Sequence, residues 1–354
     1  MSKIVIKIGS NLLVDSKGKI NKSYISDLSR AVKKLLNEGN MVVLVTSGAR
    51  AAGYGVVSGK IVSEDLYVKQ ALCSIGQVQL MKIYETIFDL YNVKIAQLLI
   101  TRDDFSVRKR FLNLRNTLIG LLEMGFLPIV NENDTLSTDE ITFGDNDILA
   151  SMFSIGWQSD YLFLLTTVDG VFDKTGKLMN RLDYDVQLRE YESNGWGTGG
   201  IKTKIRAAKA ASATGVISYI VDGKDVINIL RCKRNEKIGT KFPARKNLKS
   251  RKAWIGFLSA PKGEVEVNRG AEKALRESGS LLPVGIVSCS GKFERGDIVE
   301  VLSINKEIIG RGITNFTSEE TTKIMGYQSN QLSEKLGYSC TQVFIHADNF
   351  WKNN

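Results

Sequence analysis

IVIKIG, residues 4–9, is the stretch on which the fold turns. Ile4, Val5, Ile6 and Ile8 are branched aliphatics in near-continuous order, and Gly9 closes the run. A strand with one wet face alternates apolar and polar residues. A run apolar at consecutive positions is the mark of a strand covered on both faces, as in a parallel sheet. Similar runs follow: MVVLVTSGA (41–49), IAQLLIT (95–101), LPIVNEND (127–134), YLFLLTTVDG (161–170) and VISYIVDG (216–223). Between the first two lies YISDLSRAVKKLLNEG (24–39), with Leu28, Val32, Leu35 and Leu36 at helical spacing and Gly39 where a helix C′ glycine belongs. RFLNLRNTLIGLLEMG (110–125) repeats the pattern. Strand, helix, strand, repeated about six times, predicts a doubly wound α/β sheet.

At 354 residues the chain exceeds what one core usually serves, so two domains are expected. The opening MSKIVIKIGS has neither an h-region nor a small-residue cleavage site. No apolar run approaches the roughly 20 residues that span a bilayer. Cys73, Cys232, Cys289 and Cys340 are scattered without a CxxC pair. That pattern argues against a disulfide frame or a zinc site, and a cytoplasmic protein with free thiols is expected. There is one histidine, His346, read as structural. A lone histidine near the C-terminus argues against Ser-His-Asp and Cys-His chemistry, and against a His-ligated metal. Carboxylates, lysines, backbone amides and a hard cation remain.

The net charge of +10 is unevenly placed. Residues 1–232 carry 28 basic and 25 acidic side chains, residues 233–252 carry 9 and 1, and residues 253–354 carry 11 and 12. The excess lies in KRNEKIGTKFPARKNLKSRK, which reads as a basic linker or an anion-attracting patch. Beyond it, short alternating runs with frequent turn glycines predict a small, mostly antiparallel β domain with one short helix near 270–278. The expected division is therefore 1–232, a linker at 233–252, and 253–354.

Ligands of an open parallel sheet bind at the carboxyl ends of its strands. Lys7, Gly9, Ser10 and Asn11 follow the first strand, and Thr46-Ser47-Gly48-Ala49 the second. Asn131-Glu132-Asn133-Asp134 follow the fourth, and Thr166-Thr167-Val168-Asp169-Gly170 the fifth. GTGGIKTK (197–204) opens a helical run, where glycines let backbone amides approach phosphate oxygens and the helix start adds partial positive charge. It is not a Walker A loop, because the GxxxxGK[ST] spacing is absent. An unpaired ammonium in an apolar strand is costly, so Lys7 needs a partner or a task. In FGDNDILA (143–150) two aspartates and an asparagine precede an apolar run, although a helix cap would use only one. Four polar strand ends and the GTGGIKTK loop, converging on one sheet edge, point to a polyanion site.

VIKIGSNLL, LVTSGARAAG, SIGQ (74–77), RFLNLRNTL, PIVNEND, FGDNDILA and GTGGIKTK occur in this order. Together they resemble the glutamate 5-kinase branch of the amino acid kinase family. The region after the basic segment resembles the PUA domain that many of those kinases carry. The resemblance implies an αβα sandwich with a mostly parallel central sheet, followed by a small mainly-β PUA domain. It also implies transfer of the ATP γ-phosphoryl group to the side-chain carboxylate of L-glutamate, the first step of proline synthesis, with Mg²⁺. That carboxylate is ionised at pH 7 and needs no general base, so one remote histidine is no obstacle. Catalysis then rests on positioning and charge stabilisation.

By the same resemblance, Lys7 and Lys204 flank the transferred phosphoryl group and Asp147 holds them. Ser47, Asp134 and Asn146 match glutamate-binding positions, with Asp145 shaping the pocket or its Mg²⁺ environment. Gly9, Ser10, Thr166 and Thr167 match nucleotide-binding positions, as do Thr198, Gly199, Gly200, Ile201, Lys202, Thr203 and Lys204. Thr167 stands where many relatives have aspartate, and 171–186 lacks their Asp-Pro pattern. L-proline as feedback inhibitor and a homo-oligomer are implied partners. PUA domains are best known from RNA-modifying proteins. The near-neutral charge of 253–354 favours assembly or regulation over RNA binding, since phosphate neutralisation dominates nucleic-acid affinity. The alternatives are a related amino acid or carbamate kinase, and an RNA-binding regulatory protein with a decayed kinase domain.

Overall fold

A computed structural model describes residues 1–15, 19–57, 65–136, 145–173, 175–183, 199–245 and 248–353, with Asp145 and Gly199 described by backbone only. The chain divides into two units, Met1–Asn247 and Leu248–Asn354.

The first unit is built on a seven-stranded sheet. Its strands are β1 (Lys3–Ile8), β2 (Met41–Val45), β3 (Ile95–Ile100), β4 (Leu127–Glu132), β5 (Tyr161–Thr166), β6 (Ile217–Asp222) and β7 (Thr240–Phe242). They lie in the order β3-β4-β2-β1-β5-β6-β7, and every neighbouring pair is parallel except β6–β7. Consecutive strand residues point to opposite faces. Ile4, Val5 and Ile6, like Val42 to Val45 and Leu162 to Leu165, are all fully buried, so both faces are covered where the site lies. The six runs read from the sequence are the six parallel strands. Their polar tails begin at the strand ends: β2 stops at Val45, before Thr46, whereas β4 takes in Asn131 and Glu132 and β5 takes in Thr166.

Between the strands run α1 (Ser10–Leu13), α2 (Lys22–Asn37), α3 (Ala49–Val57), α4 (Leu66–Asp89), α5 (Asp103–Ser106), α6 (Arg108–Glu123), α7 (Asp145–Trp157) and α8 (Gly199–Ala213). Asn21 caps α2 by accepting from Tyr24 N–H at 3.0 Å. The buried stripe of α2 includes Leu28, Val32 and Leu35, as the periodicity predicts. The helix α8 starts at Gly199, so Gly199 and Gly200 form its first turn rather than a loop before it.

The α3 and α4 helices meet with almost no side chain between them. A Cβ on Gly53 would lie 2.0 Å from the Leu72 carbonyl oxygen, and one on Gly76 would lie 1.7 Å from that of Ala49. Only glycine permits this approach. It fixes α4 against the start of α3, directly after the β2 turn.

The segment 233–252, expected as a linker, is partly built into the folded units. Thr240–Phe242 pairs antiparallel with β6, and Lys233 reaches Glu38 at 3.0 Å. Ser250–Ala253 is a helical turn of the second unit. A three-residue edge strand of Thr, Lys and Phe is too short to show periodicity among basic residues.

The second unit holds a five-stranded sheet, ordered Phe350–Lys352, Ile308–Ile313, Ile298–Leu302, Gly263–Val267, Ile286–Gly291. All pairings are antiparallel except that of Gly263–Val267 with Ile298–Leu302. The expected helix is Arg269–Arg276. Two further helices, Ser318–Ile324 and Leu332–Leu336, escaped the sequence reading, although Thr317 and Glu320 form a capping box that announces the first. His346 is exposed and caps a turn, its Nδ1 accepting from Asp348 N–H at 3.2 Å.

Candidate active site

The site gathers where the sheet order reverses, at the carboxyl ends of β1, β2, β4 and β5. Lys7 stands near the end of the central strand, between Val45 of β2 and Leu164 of β5. Gly9 leads into α1 and Ser10 begins it. Thr166 and Thr167 lie half-buried at the end of β5.

Asp147 is the centre of the charged part. It is fully buried in the first turn of α7, where a carboxylate meets the positive end of the helix dipole. Its Oδ1 lies 2.7 Å from Lys7 Nζ, and its Oδ2 lies 3.0 Å from Lys204 Nζ. Lys7 is 4% exposed and Lys204 9%, so all three charges are withdrawn from water. Lys204 Nζ also donates to the Gly200 carbonyl at 3.3 Å, one turn earlier in α8. Thr203 Oγ1 stands 3.0 Å from that carbonyl and 3.3 Å from Asp147 Oδ2. One carboxylate thus aligns two ammonium groups from different elements and leaves a buried excess of one positive charge. Burial pushes the Lys7 pKa below its ordinary 10.5 and Lys204 pushes the same way, while the Asp147 carboxylate opposes both. A desolvated positive excess, preorganised by a fixed carboxylate, is a receptor for an anion that brings its own negative charge.

Beside it lies a neutral part. Asn146 Nδ2 donates to Ser47 Oγ at 3.1 Å and to Asn131 Oδ1 at 3.2 Å. Asn131 Nδ2 donates to Gln77 Oε1 of α4 at 2.8 Å. Gly48, at φ +94°, turns the chain after Ser47 so that α3 starts at once. Asp134 follows β4, and its carboxylate accepts from the Cys73 thiol. Burial first, and then that carboxylate, raises the Cys73 pKa to about 12, so this thiol is inert at neutral pH.

Lys7, Asp147 and Lys204 are therefore brought together as the sequence reading expected, and Ser47 and Asn146 meet beside them. Lys202 is exposed on α8, and Gly200, Ile201 and Thr203 are half-buried there. Thr198 and the side chain of Asp145 lie outside the described residues. Asn131, Gln77 and Cys73 were not singled out from the sequence. Asn131 and Gln77 stand inside the quoted NEND and SIGQ stretches, and a carboxamide at an apolar strand end was the available signal. Among the described residues no group of three or more His, Cys, Asp or Glu is placed to hold a metal ion.

An αβα kinase fold with lysines clamped on a buried aspartate defines a class, and comparison with known proteins identifies it. Residues 2–222 match the amino acid kinase family and residues 263–336 the PUA domain. The glutamate 5-kinase of Kosmotoga olearia is 54% identical over all of both chains, and that of Thermotoga maritima 53% over 99% of each. The carbamate kinase of Giardia lamblia bound to AMP-PNP shares the fold, with a TM-score of 0.51 at 18% identity, covering 69% of this chain and 99% of that one. The chain belongs to the amino acid kinase family and, within it, to the glutamate 5-kinases.

Proposed function

We propose that the chain transfers the γ-phosphoryl group of ATP to the side-chain carboxylate of L-glutamate, giving L-glutamyl 5-phosphate and ADP, the first step of L-proline biosynthesis. The observation that carries this reading is the buried Lys7–Asp147–Lys204 cluster next to the neutral Ser47–Asn146 pair. A carboxylate oxygen attacks the γ-phosphorus while the bond to the β,γ-bridging oxygen breaks, and ADP carries away the electron pair. The nucleophile is already ionised, so no side chain must remove a proton. The obstacle is repulsion between two anions. Lys7 and Lys204 offset it, and Asp147 keeps both aimed before substrate arrives. Gly9, Ser10, Thr166, Thr167 and the start of α8 with Gly199 to Lys204 fall to the nucleotide, Lys202 from the solvent side. Ser47, Asn146 and Asp134 fall to glutamate, with Asp134 facing its ammonium.

Both Asp147 oxygens are taken by lysines, so the described residues do not form a cage for Mg²⁺. The ion belongs to the Mg·ATP substrate, on whose phosphates such ions largely ride. We further read the protein as a cytoplasmic homo-oligomer, inhibited by L-proline at the glutamate position, with the second unit serving assembly or regulation rather than RNA. Among the described residues no helix is long and apolar enough to cross a membrane. The test is hydroxylamine trapping of the acyl phosphate, with and without L-proline. Glutamate-dependent hydroxamate is expected. Its absence from a folded preparation, or equal turnover of other amino acids or carbamate, would overturn the substrate assignment.

A further inference from the structure

The carboxamide chain behind Ser47 has a direction, and one backbone group sets it. Glu132 N–H can only donate, and Asn131 Oδ1 accepts from it at 2.9 Å. Asn131 Nδ2 is therefore turned to Gln77, whose Oε1 must accept. That leaves Gln77 Nε2 turned away. On the other side Asn131 Oδ1 also accepts from Asn146 Nδ2, which turns Asn146 Oδ1 away. Flipping any of the three amides would set donor against donor or acceptor against acceptor. The chain thus ends in two fixed groups, a donor at Gln77 and an acceptor at Asn146. Both atoms are buried and have no hydrogen-bond partner among the described residues. Buried polar groups are normally paired, so such a couple calls for a ligand with one acceptor and one donor.

An α-amino acid head group, carboxylate beside ammonium, has that pattern. The placement agrees. Asn146 adjoins Asp147, whereas Gln77 is two carboxamides further from the lysines. A substrate whose side chain reaches the lysines would put its head group toward Gln77. Cys73, one helical turn before Gln77 on α4, touches Asp134, so one helix edge reaches both Asn131 at the end of β4 and Asp134 just beyond it.

We infer that Gln77 is a substrate-binding residue whose Nε2 donates to the α-carboxylate of the amino acid, while Asn146 Oδ1 accepts from its α-ammonium. This rests on the glutamate reading of the site. The test uses full-length Gln77→Glu, which keeps the acceptor for Asn131 but loses the donor, and Gln77→Met, which loses both. Glutamate KM and kcat are measured by hydroxamate formation, and 4-aminobutyrate, which lacks the α-carboxylate, is measured as a competitor. In each variant the glutamate KM rises roughly tenfold or more, the scale of one hydrogen bond to a charged group, with kcat within about threefold. The ratio of the 4-aminobutyrate Ki to the glutamate KM shrinks by a similar factor. A packing role would not change that ratio. Wild-type turnover with an unchanged ratio in whichever variant folds overturns this inference alone. A wild-type protein with no glutamate-dependent turnover overturns the glutamate reading and this inference with it.

Discussion

The proposed phosphate end and the proposed amino-acid end of the site are ordered by opposite means. At the phosphate end three buried charges hold one another, and the surplus is electrostatic. At the amino-acid end neutral groups form a chain, and the surplus is directional: one donor and one acceptor, each fixed in aim. Charge acts over distance and is indifferent to ligand shape. Amides act only at contact and reject a ligand with the wrong pattern. The comparison therefore assigns rate to the first and selectivity to the second.

The largest effects that would break this division concern Asp147. Asp147→Asn leaves two buried ammonium groups facing each other and should lower stability by about 3–5 kcal/mol, the scale for orphaning buried charge. Lys7→Met removes the surplus charge and should leave the melting temperature unchanged or higher. Denaturant unfolding of both variants checks the pair, and a Lys7→Met protein as unstable as Asp147→Asn would refute the charge accounting. Next, Lys7→Ala or Lys204→Ala should lower kcat by about two orders of magnitude or more, the scale of one charge-stabilising group, with glutamate KM much less affected. Intact turnover in Lys204→Ala would end the role given to it.

The pH profile sharpens the same point. Lys7 is charged and competent below its pKa and neutral above it. Burial lowers that pKa in the free protein, so the alkaline limb of kcat/KM should fall at a pH below 10.5. A limb at or above the ordinary lysine value would contradict the burial argument. At the amino-acid end, Asp134→Ala should raise glutamate KM by about tenfold and change kcat little, as uniform binding loss does. Smallest of all, Lys202→Ala should change ATP KM by no more than about threefold, because its exposed ammonium is screened by solvent.

The sequence exposed the charged end more fully than the neutral one, for a physical reason. Lys7 in an apolar strand, Asp147 at the start of an apolar helix and Lys204 after paired glycines each break a local pattern. Gln77 breaks none visibly, because a glutamine is at home in any helix. Its meaning comes from Asn131, 54 residues away. Five of the six parallel strands were legible because covering both faces demands continuous aliphatics, and the edge strand β3, half exposed, carries the same kind of run. The edge strand Thr240–Phe242 was not, because pairing with β6, and not composition, makes it a strand. Thr198 and the Asp145 side chain remain expectations from resemblance.

The bare contact of Gly53 and Gly76 has a consequence for how affinity is inherited along the chain. Ser47 precedes one helix and Gln77 rides on the other, so the spacing between the two proposed readers of the amino acid follows the spacing between two backbones. No rotamer can absorb a change there. A methyl group added at either glycine would wedge the helices apart and so detune the proposed recognition from inside a helix contact. Selectivity in this molecule is partly written in residues that have no side chain.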